Sequence, residues 1–179
     1  MDLIKAIRER RSIRKFQDTK VSREKIIDII DKAIWAPSGS NTQAWRFIII
    51  DEEAQQKKLK LFAPGLSGNP PVTLAICMDL KEAEKKGGRL GSNELVLYDA
   101  GIVCQNIGLL ALEHKLGTCI VASFNKKGVQ EILGLPNEVK PFLLMSLGYP
   151  EIVPSPPVRK KMGEIIYWQR YGKEEEQIE

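Results

Sequence analysis

Two stretches of this chain concentrate residue types that could bind a charged, planar ligand. The first is Arg8-Glu9-Arg10-Arg11-Ser12-Ile13-Arg14-Lys15-Phe16, which packs five cations and a hydroxyl into one short segment. A guanidinium is a planar fork of donors that matches phosphate oxygens in pairs, so this segment can grip a phosphate. It also falls where a first helix should end, and cations at a helix C-terminus are favourable without any ligand. The second stretch is Pro37-Ser38-Gly39-Ser40-Asn41-Thr42-Gln43-Ala44-Trp45-Arg46-Phe47. Small residues let a backbone approach a ligand closely, and Asn41 and Gln43 offer both donors and acceptors. The same stretch reads equally well as a plain loop before a strand. No acid/base dyad, nucleophile–His pair or metal-spaced cluster stands out, and His114 is the single histidine.

Helices and strands must hold these stretches in place. Asp2 can cap a helix through Leu3, Ile4 and Ile7 towards Arg11. Ser22 suits the cap of a second helix, whose stripe is Ile26, Ile27, Ile30, Ala33 and Ile34 and which ends by Ala36-Pro37. Phe47–Ile50 is a short apolar run and reads as a buried strand. Glu52–Phe62 reads as a helix, Pro64–Pro71 as a loop and Val72–Met78 as a strand. Gly87-Gly88-Arg89-Leu90-Gly91 reads as a flexible connection. It lacks both the Walker spacing and a GxGxxG after a strand, so it carries no nucleotide-loop signal. Asn93–Lys115 is a helix apolar on nearly every side, which calls for burial on nearly every side, most readily at a subunit interface. Thr118–Ala122 and Phe142–Leu147 supply two more strands, with a short helix near Val129–Leu133 between them.

The end of the chain differs in character. Pro150, Pro154, Pro156 and Pro157 favour an extended arm. Beyond the basic Arg159-Lys160-Lys161, the run Ile165-Ile166-Tyr167-Trp168 is strand-like and needs a sheet edge, which a second subunit could provide. Lys173–Glu179 reads as a frayed tail. Trp35, Trp45 and Trp168 read as packing anchors.

With 179 residues and 43% apolar content, the chain suits one domain with a sizeable core. No apolar run approaches the ~20 residues of a membrane span, and Met1–Ala6 shows no signal-peptide pattern, so a cytoplasmic protein is expected. Cys77, Cys104 and Cys119 are scattered in apolar surroundings and read as buried, reduced thiols. A net charge of +4 permits anionic ligands. A nucleic-acid reading of Arg8–Lys15 is weak, because the cluster stands alone without an aromatic stacking series.

Taken together, Arg10-Arg11-Ser12-Ile13-Arg14 and Ala36-Pro37-Ser38-Gly39-Ser40-Asn41-Thr42-Gln43-Ala44-Trp45-Arg46-Phe47 resemble the FMN-dependent nitroreductase family. The resemblance continues in order through Asp99-Ala100-Gly101-Ile102-Val103-Cys104-Gln105-Asn106-Ile107, Lys115-Leu116-Gly117-Thr118-Cys119 and Leu147-Gly148-Tyr149-Pro150, to the basic Arg159-Lys160 of the arm. It implies an α+β fold: a three-layer α-β-α sandwich over residues 1–179, with a mainly antiparallel central sheet. Residues from about 150 onward would form an arm exchanged between the subunits of a homodimer. It implies bound FMN, with NAD(P)H as co-substrate and a small electron-poor acceptor, and neither nucleic-acid nor membrane partners. Arg10, Arg11 and Ser12 would lie at the FMN phosphate, with Arg159 or Lys160 closing over it. Arg14 would lie near the pyrimidine edge of the flavin. Pro37, Ser38, Gly39 and Asn41 would reach the flavin of the other subunit, and Asn69 the flavin ring. Where many members carry Pro or Glu near flavin N5, this chain has Ala122-Ser123, which leaves backbone donation only. Two other functions stay open at this point. One is an FMN-binding protein without nicotinamide turnover; the other is a basic module for nucleic acid.

Overall fold

A computed structural model of the chain describes residues 2–172. The expected frayed tail at 173–179 lies outside them. Four strands form one antiparallel sheet: β1 (Trp45–Ile50), β2 (Val72–Asp79), β3 (Gly117–Val121) and β4 (Val139–Gly148), in spatial order β1-β2-β4-β3. Register runs from Trp45 opposite Met78 to Ile50 opposite Thr73, and from Gly117 opposite Gly148 to Val121 opposite Leu144. A shift between Ile76 and Cys77 interrupts the β2–β4 ladder. Successive side chains of a strand face opposite ways. Accordingly Val72, Leu74, Ile76 and Met78 join one core, and Ala75 and Cys77 join the other.

The first core is closed by α2 (Arg23–Ala33) and α5 (Val96–Glu113). The second is closed by α3 (Glu53–Phe62), through Leu59, and α6 (Lys126–Ile132), through Val129. Helices on both faces of a mainly antiparallel sheet give the expected three-layer α+β sandwich. Two further helices, α1 (Leu3–Glu9) and α4 (Leu80–Leu90), complete the described set. Asp2 caps α1 as expected, accepting from Lys5 N–H. Ser22 stands at the cap position of α2, but its hydroxyl accepts no helix N–H.

Several expectations are corrected. The expected flexible connection at 87–91 is narrowed to a single break: α4 (Leu80–Leu90) is two helical pieces kinked at Gly88, and a π-helical turn at Gly91–Leu95 leads into α5. The reversal is absorbed at Gly88, whose φ of 62° suits a residue without a β-carbon. Ile165–Trp168 forms no strand. A 3-10 turn at Met162–Glu164 precedes it, and Ile165, Ile166 and Trp168 are exposed. β1 is an edge strand whose middle residues are only half-buried. Trp45 is a packing anchor, but Trp35 is 87% exposed and Trp168 is exposed as well.

Helix α5 buries Val96, Ala100, Val103, Cys104, Ile107 and Ala111 in the first core, while Leu97, Tyr98 and Ile102 stay exposed. All-round burial therefore holds for its inner face only. The run Leu80–Glu113 is long and apolar enough to cross a membrane by composition. Here the chain reverses at Gly88, and the α5 part serves as a core helix.

The three thiols are free and buried. Burial pushes Cys77 and Cys104 up to about 12 from an ordinary value near 9.0. A thiol kept neutral by folding favours the folded state fully below pH 9, and that contribution is lost as pH rises through 12. At pH 8, iodoacetamide should leave Cys77 and Cys104 unmodified in native protein over a time that alkylates both completely in guanidinium. Equal rates by mass spectrometry would show that the core opens.

Candidate functional site

The basic segment is fixed by the edge of the sheet. Helix α1 stops at Glu9, and Arg10 closes it by donating its N–H to Ala6 O at 3.0 Å. β3 is an edge strand, and the chain beyond Arg10 fills that edge. Ser12 bridges Thr118 in parallel, and Ile13 N–H donates to Thr118 O at 2.9 Å. Ile13 is buried, and alternation in an extended segment then turns Ser12 and Arg14 to the opposite side together. On the other flank, Phe16 bridges Pro150. Gln17 N–H donates to Tyr149 O at 2.9 Å, and Glu151 N–H to Lys15 O at 3.0 Å. The expected Gly148-Tyr149-Pro150 strand end is thus the clasp that holds this segment.

Arg10 lies across α5 at Gly108. A β-carbon there would stand 3.5 Å from Arg10 Cδ and 3.4 Å from Thr118 Oγ1. Arg10, Arg11, Gly108, Gly117, Thr118 and Pro150 line a pocket of about 50 Å³. Arg11 is turned back on the helix end, its Nη1 donating to Arg8 O at 2.6 Å and Arg10 O at 2.8 Å. Its Nε is buried without a partner. Arg14 is exposed and makes one long hydrogen bond, Nη1 to Ser12 O at 3.4 Å. Among the described residues, no carboxylate forms an ion pair with Arg10, Arg11 or Arg14. Three guanidinium groups without an ion-pair partner thus lie close in the chain along one sheet edge and are candidates for holding an anion, while Glu9 lines the same pocket.

The loop after α3 brings two more candidates to this edge. Gly65 N–H donates to Ser123 O at 3.1 Å. Gly68 has φ 72° and sits on the Arg14 backbone, where a β-carbon would stand 2.3 Å from Arg14 O. Arg14, Asn69 and Ser123 are therefore neighbours through one loop. Lys60 Nζ donates to Asn69 Oδ1 at 2.7 Å and also to Gly68 O. A lysine has donors only, so this contact leaves the Asn69 amide nitrogen turned away as a free donor. Ala122 and Ser123 are exposed just past β3.

The Pro37–Gln43 loop lies elsewhere. Gly39 N–H donates to Asp99 Oδ1 at 3.0 Å, near the start of α5, and Gln43 N–H to Ser38 Oγ at 3.1 Å. Pro37 and Asn41 are exposed. Asp99 and Gly108 are nine residues apart, about 13 Å along a helix at 1.5 Å per residue. The loop and the basic segment thus both lie against one helix. Arg46 serves structure, pairing with Asp79 at 3.1 Å and with Glu82. Arg159 and Lys160 are exposed on the arm, where every residue from 151 to 166 is exposed. The structure does not bring them to Arg10.

A family model for the nitroreductase family matches residues 7–70 and 60–149. These spans hold the loop, the basic segment and the whole sheet. The chain belongs to the nitroreductase family. A relative from Methanothermobacter thermautotrophicus is 32% identical over 156 residues, covering 84% of this chain and 78% of its own. Its name carries both NADH dehydrogenase and NAD(P)H nitroreductase. A solved nitroreductase family protein from Clostridium difficile is 29% identical with a TM-score of 0.82, covering 95% and 99% of the two chains. A nitroreductase structure from Exiguobacterium sibiricum, solved in complex with FMN, superimposes with a TM-score of 0.85 at 24% identity over 94% and 98% of the two chains.

Reading the sequence missed three parts of this candidate site. Gly65 and Gly68 act only through contacts to residues distant in the chain, which spacing does not reveal. Asp99 did carry a signal, as a carboxylate in a helix otherwise apolar on nearly all sides. Gly68→Ala should cost about 2 kcal/mol or more, combining a left-handed backbone with a clash on Arg14 O. Denaturant unfolding checks this, and a loss below about 0.5 kcal/mol, the usual surface range, would refute the close approach.

Proposed function

We propose that this nitroreductase family member is a homodimeric, FMN-dependent oxidoreductase. In this reading it takes reducing equivalents from NAD(P)H and delivers them to a small electron-poor acceptor, nitroaromatic or quinone-like. The observation that carries the reading is the set of unpaired guanidinium groups of Arg10, Arg11 and Arg14 along the β3 edge, beside the Asn69 and Ser123 loops. Relatives named for NAD(P)H nitroreductase activity and the FMN complex of the Exiguobacterium protein support it.

The residues present fit such a cofactor. Arg10, which lines the 50 Å³ pocket together with Arg11 and Glu9, would hold the phosphate, with Ser12 two residues along the chain. Arg14, on the same side as Ser12, would sit at the pyrimidine edge, with Asn69 beside it as a donor. When bound, FMN would supply hydride acceptance and donation between a reduced nicotinamide and the acceptor. Arg14 would favour the reduced, more negative flavin because its charge is fixed before the electrons arrive. The backbone at Ala122 and Ser123 would lie near N5, and neither residue offers a side-chain acid. Ser123 N–H has no acceptor among the described residues and is available as a donor.

A second copy of the chain completes the site in this reading. The pocket of about 50 Å³ is far below the ~300 Å³ or more that a ligand of nucleotide size occupies. Pro37, Ser38, Gly39 and Asn41 would therefore act on the partner's flavin. The exposed Leu97, Tyr98 and Ile102 of α5 and the extended arm would form the contact, with Arg159 or Lys160 closing on the phosphate. An arm running from 151 to 166 can span ~50 Å when extended, enough to cross to a neighbouring subunit.

Purified protein should be yellow, dimeric by light scattering, and should oxidise NADH or NADPH anaerobically with a quinone or nitroaromatic acceptor. Bound flavin without nicotinamide oxidation would remove the reductase reading and leave a flavin-binding protein. A colourless monomer that refuses saturating FMN would remove both. Arg14→Ala should raise the FMN Kd about tenfold, the loss of one charge-assisted contact of ~1.5 kcal/mol, and slow flavin reduction. Unchanged affinity and rate would take Arg14 out of the site.

A further inference from the structure

The two stretches are held differently. The basic segment is pinned by a sheet edge, while the Pro37–Gln43 loop has no strand to pair with and an unfavourable backbone. Ser40, Asn41 and Gln43 have φ of 51°, 50° and 50°, three non-glycine residues in the left-handed region within four positions. Such a conformation persists only where its surroundings over-determine it, and it concentrates where a protein shapes a surface for use. The main external anchor is Asp99. It is 3% exposed, on the helical run that continues from the π-helical turn into α5. Among the described residues no lysine or arginine pairs with it.

Its two oxygens serve this one loop. Oδ1 accepts from Gly39 N–H at 3.0 Å, and Oδ2 faces Thr42 Oγ1 at 3.5 Å, the outer limit of a hydrogen bond. Thr42 is itself buried, and Gly39 and Thr42 bracket the left-handed pair Ser40 and Asn41. The loop is also seated on the π-helical turn, where a β-carbon at Gly39 would stand 2.5 Å from Leu95 Cδ1. Burying a carboxylate without a cation is costly, and its hydrogen bonds must offset that cost. Every hydrogen bond found for the Asp99 carboxylate goes to a loop with two exposed flavin-facing candidates, Pro37 and Asn41.

We propose that Asp99 is a positioning residue for the flavin: from inside the core it sets the shape of the Pro37–Gln43 loop and hence the surface that loop lays against the cofactor. The inference rests on the assignment of that loop to FMN made above. Asp99 touches no cofactor atom. It acts through Gly39 and Thr42, so hydrogen-bonding capacity at position 99 matters and the negative charge does not.

Two substitutions separate those terms. In Asp99→Asn the amide oxygen still accepts from Gly39 N–H, and its nitrogen can donate to Thr42 Oγ1, a hydroxyl that both gives and takes. In Asp99→Ala both contacts vanish. FMN affinity by fluorescence titration and the reduction potential of the bound flavin at saturating FMN are the readouts, with circular dichroism and light scattering as checks on fold and assembly. Asp99→Asn should keep Kd within threefold and leave the potential unchanged. Asp99→Ala should raise Kd tenfold or more and move the potential towards that of free FMN. Asp99→Ser, polar but too short to reach both groups, carries the same test should the alanine variant not fold, with the same expected direction. A folded Asp99→Ala or Asp99→Ser protein with wild-type Kd and potential overturns the proposal. So does an Asp99→Asn protein as impaired as the alanine variant. Wild-type protein that takes no FMN overturns the flavin reading and this inference with it, which distinguishes the two failures.

Discussion

Burial of α5 against the sheet and α2 sets the distances on which the rest of the structure depends. Val96, Ala100, Val103, Cys104, Ile107 and Ala111 are all 1% exposed or less. Each fully buried Val or Ile among them is worth about 1.5–3 kcal/mol, so the rod does not slide or rotate cheaply. Everything attached to it inherits that rigidity. Asp99 near its start holds the Pro37–Gln43 loop, and Gly108, about 13 Å further on, leaves room for Arg10 and Thr118. The turn after α5 delivers β3, whose free edge is the template for Ser12 and Ile13. A single packed helix therefore holds the Pro37–Gln43 loop and the basic segment at a set separation.

The charges of the basic segment run against the stability of the isolated chain. Arg10, Arg11 and Arg14 lie close in sequence, and the nearby Glu9 reaches Lys5 at 4.0 Å rather than any of the three. The protein spends other carboxylates elsewhere: Asp51 on Arg23, Asp28 on Lys32 and His114, Asp79 and Glu82 on Arg46. Hydrogen bonds from Lys32, and after it His114, hold the Asp28 carboxyl below its ordinary range, as Arg23 does for Asp51. The cations so matched knit elements together, Arg23 on α2 to the end of β1 and Arg46 on β1 to the start of α4. The unmatched ones sit where an anion could complete them, which is the pattern of a binding site rather than of a solvated face.

The parts that were legible in the sequence are those whose burial follows a local period. The strand Val72–Asp79 and the core face of α5 show their contacts in the spacing of their own apolar residues, whereas α2 buries Ile26, Ile29 and Ala33 and leaves Ile27 and Ile34 of the expected stripe exposed. What stayed hidden depends on residues far along the chain. The glycines at 87–91 signal a loop, yet the break is confined to Gly88, after which Gly91 packs on Ala83 O, where a β-carbon would stand at 2.6 Å. Ile165–Trp168 has strand composition but pairs with no strand among the described residues: Ser12 takes the β3 edge, and the β1 edge is not reached. Trp35 looks like core from its type alone, yet it lies on the open side of its turn and is 87% exposed. The role of the 64–71 loop is likewise invisible locally, because Gly65 answers to Ser123 and Gly68 to Arg14.

The two ends of the chain are linked mechanically. Phe16–Pro150, Gln17–Tyr149 and Lys15–Glu151 tie the basic segment to the first residues of the arm, so Arg14 and the arm share one clasp. Beyond the clasp every residue from 151 to 166 is exposed among the described residues, and Val158 is 97% exposed. An apolar, proline-stiffened segment of this kind loses little conformational entropy when it docks, because its proline φ angles are already set. In the proposed dimer, docking the arm therefore loads the same hydrogen bonds that orient Arg14. Assembly and cofactor binding then draw on one set of contacts, and neither half-site needs to be complete before the other chain arrives.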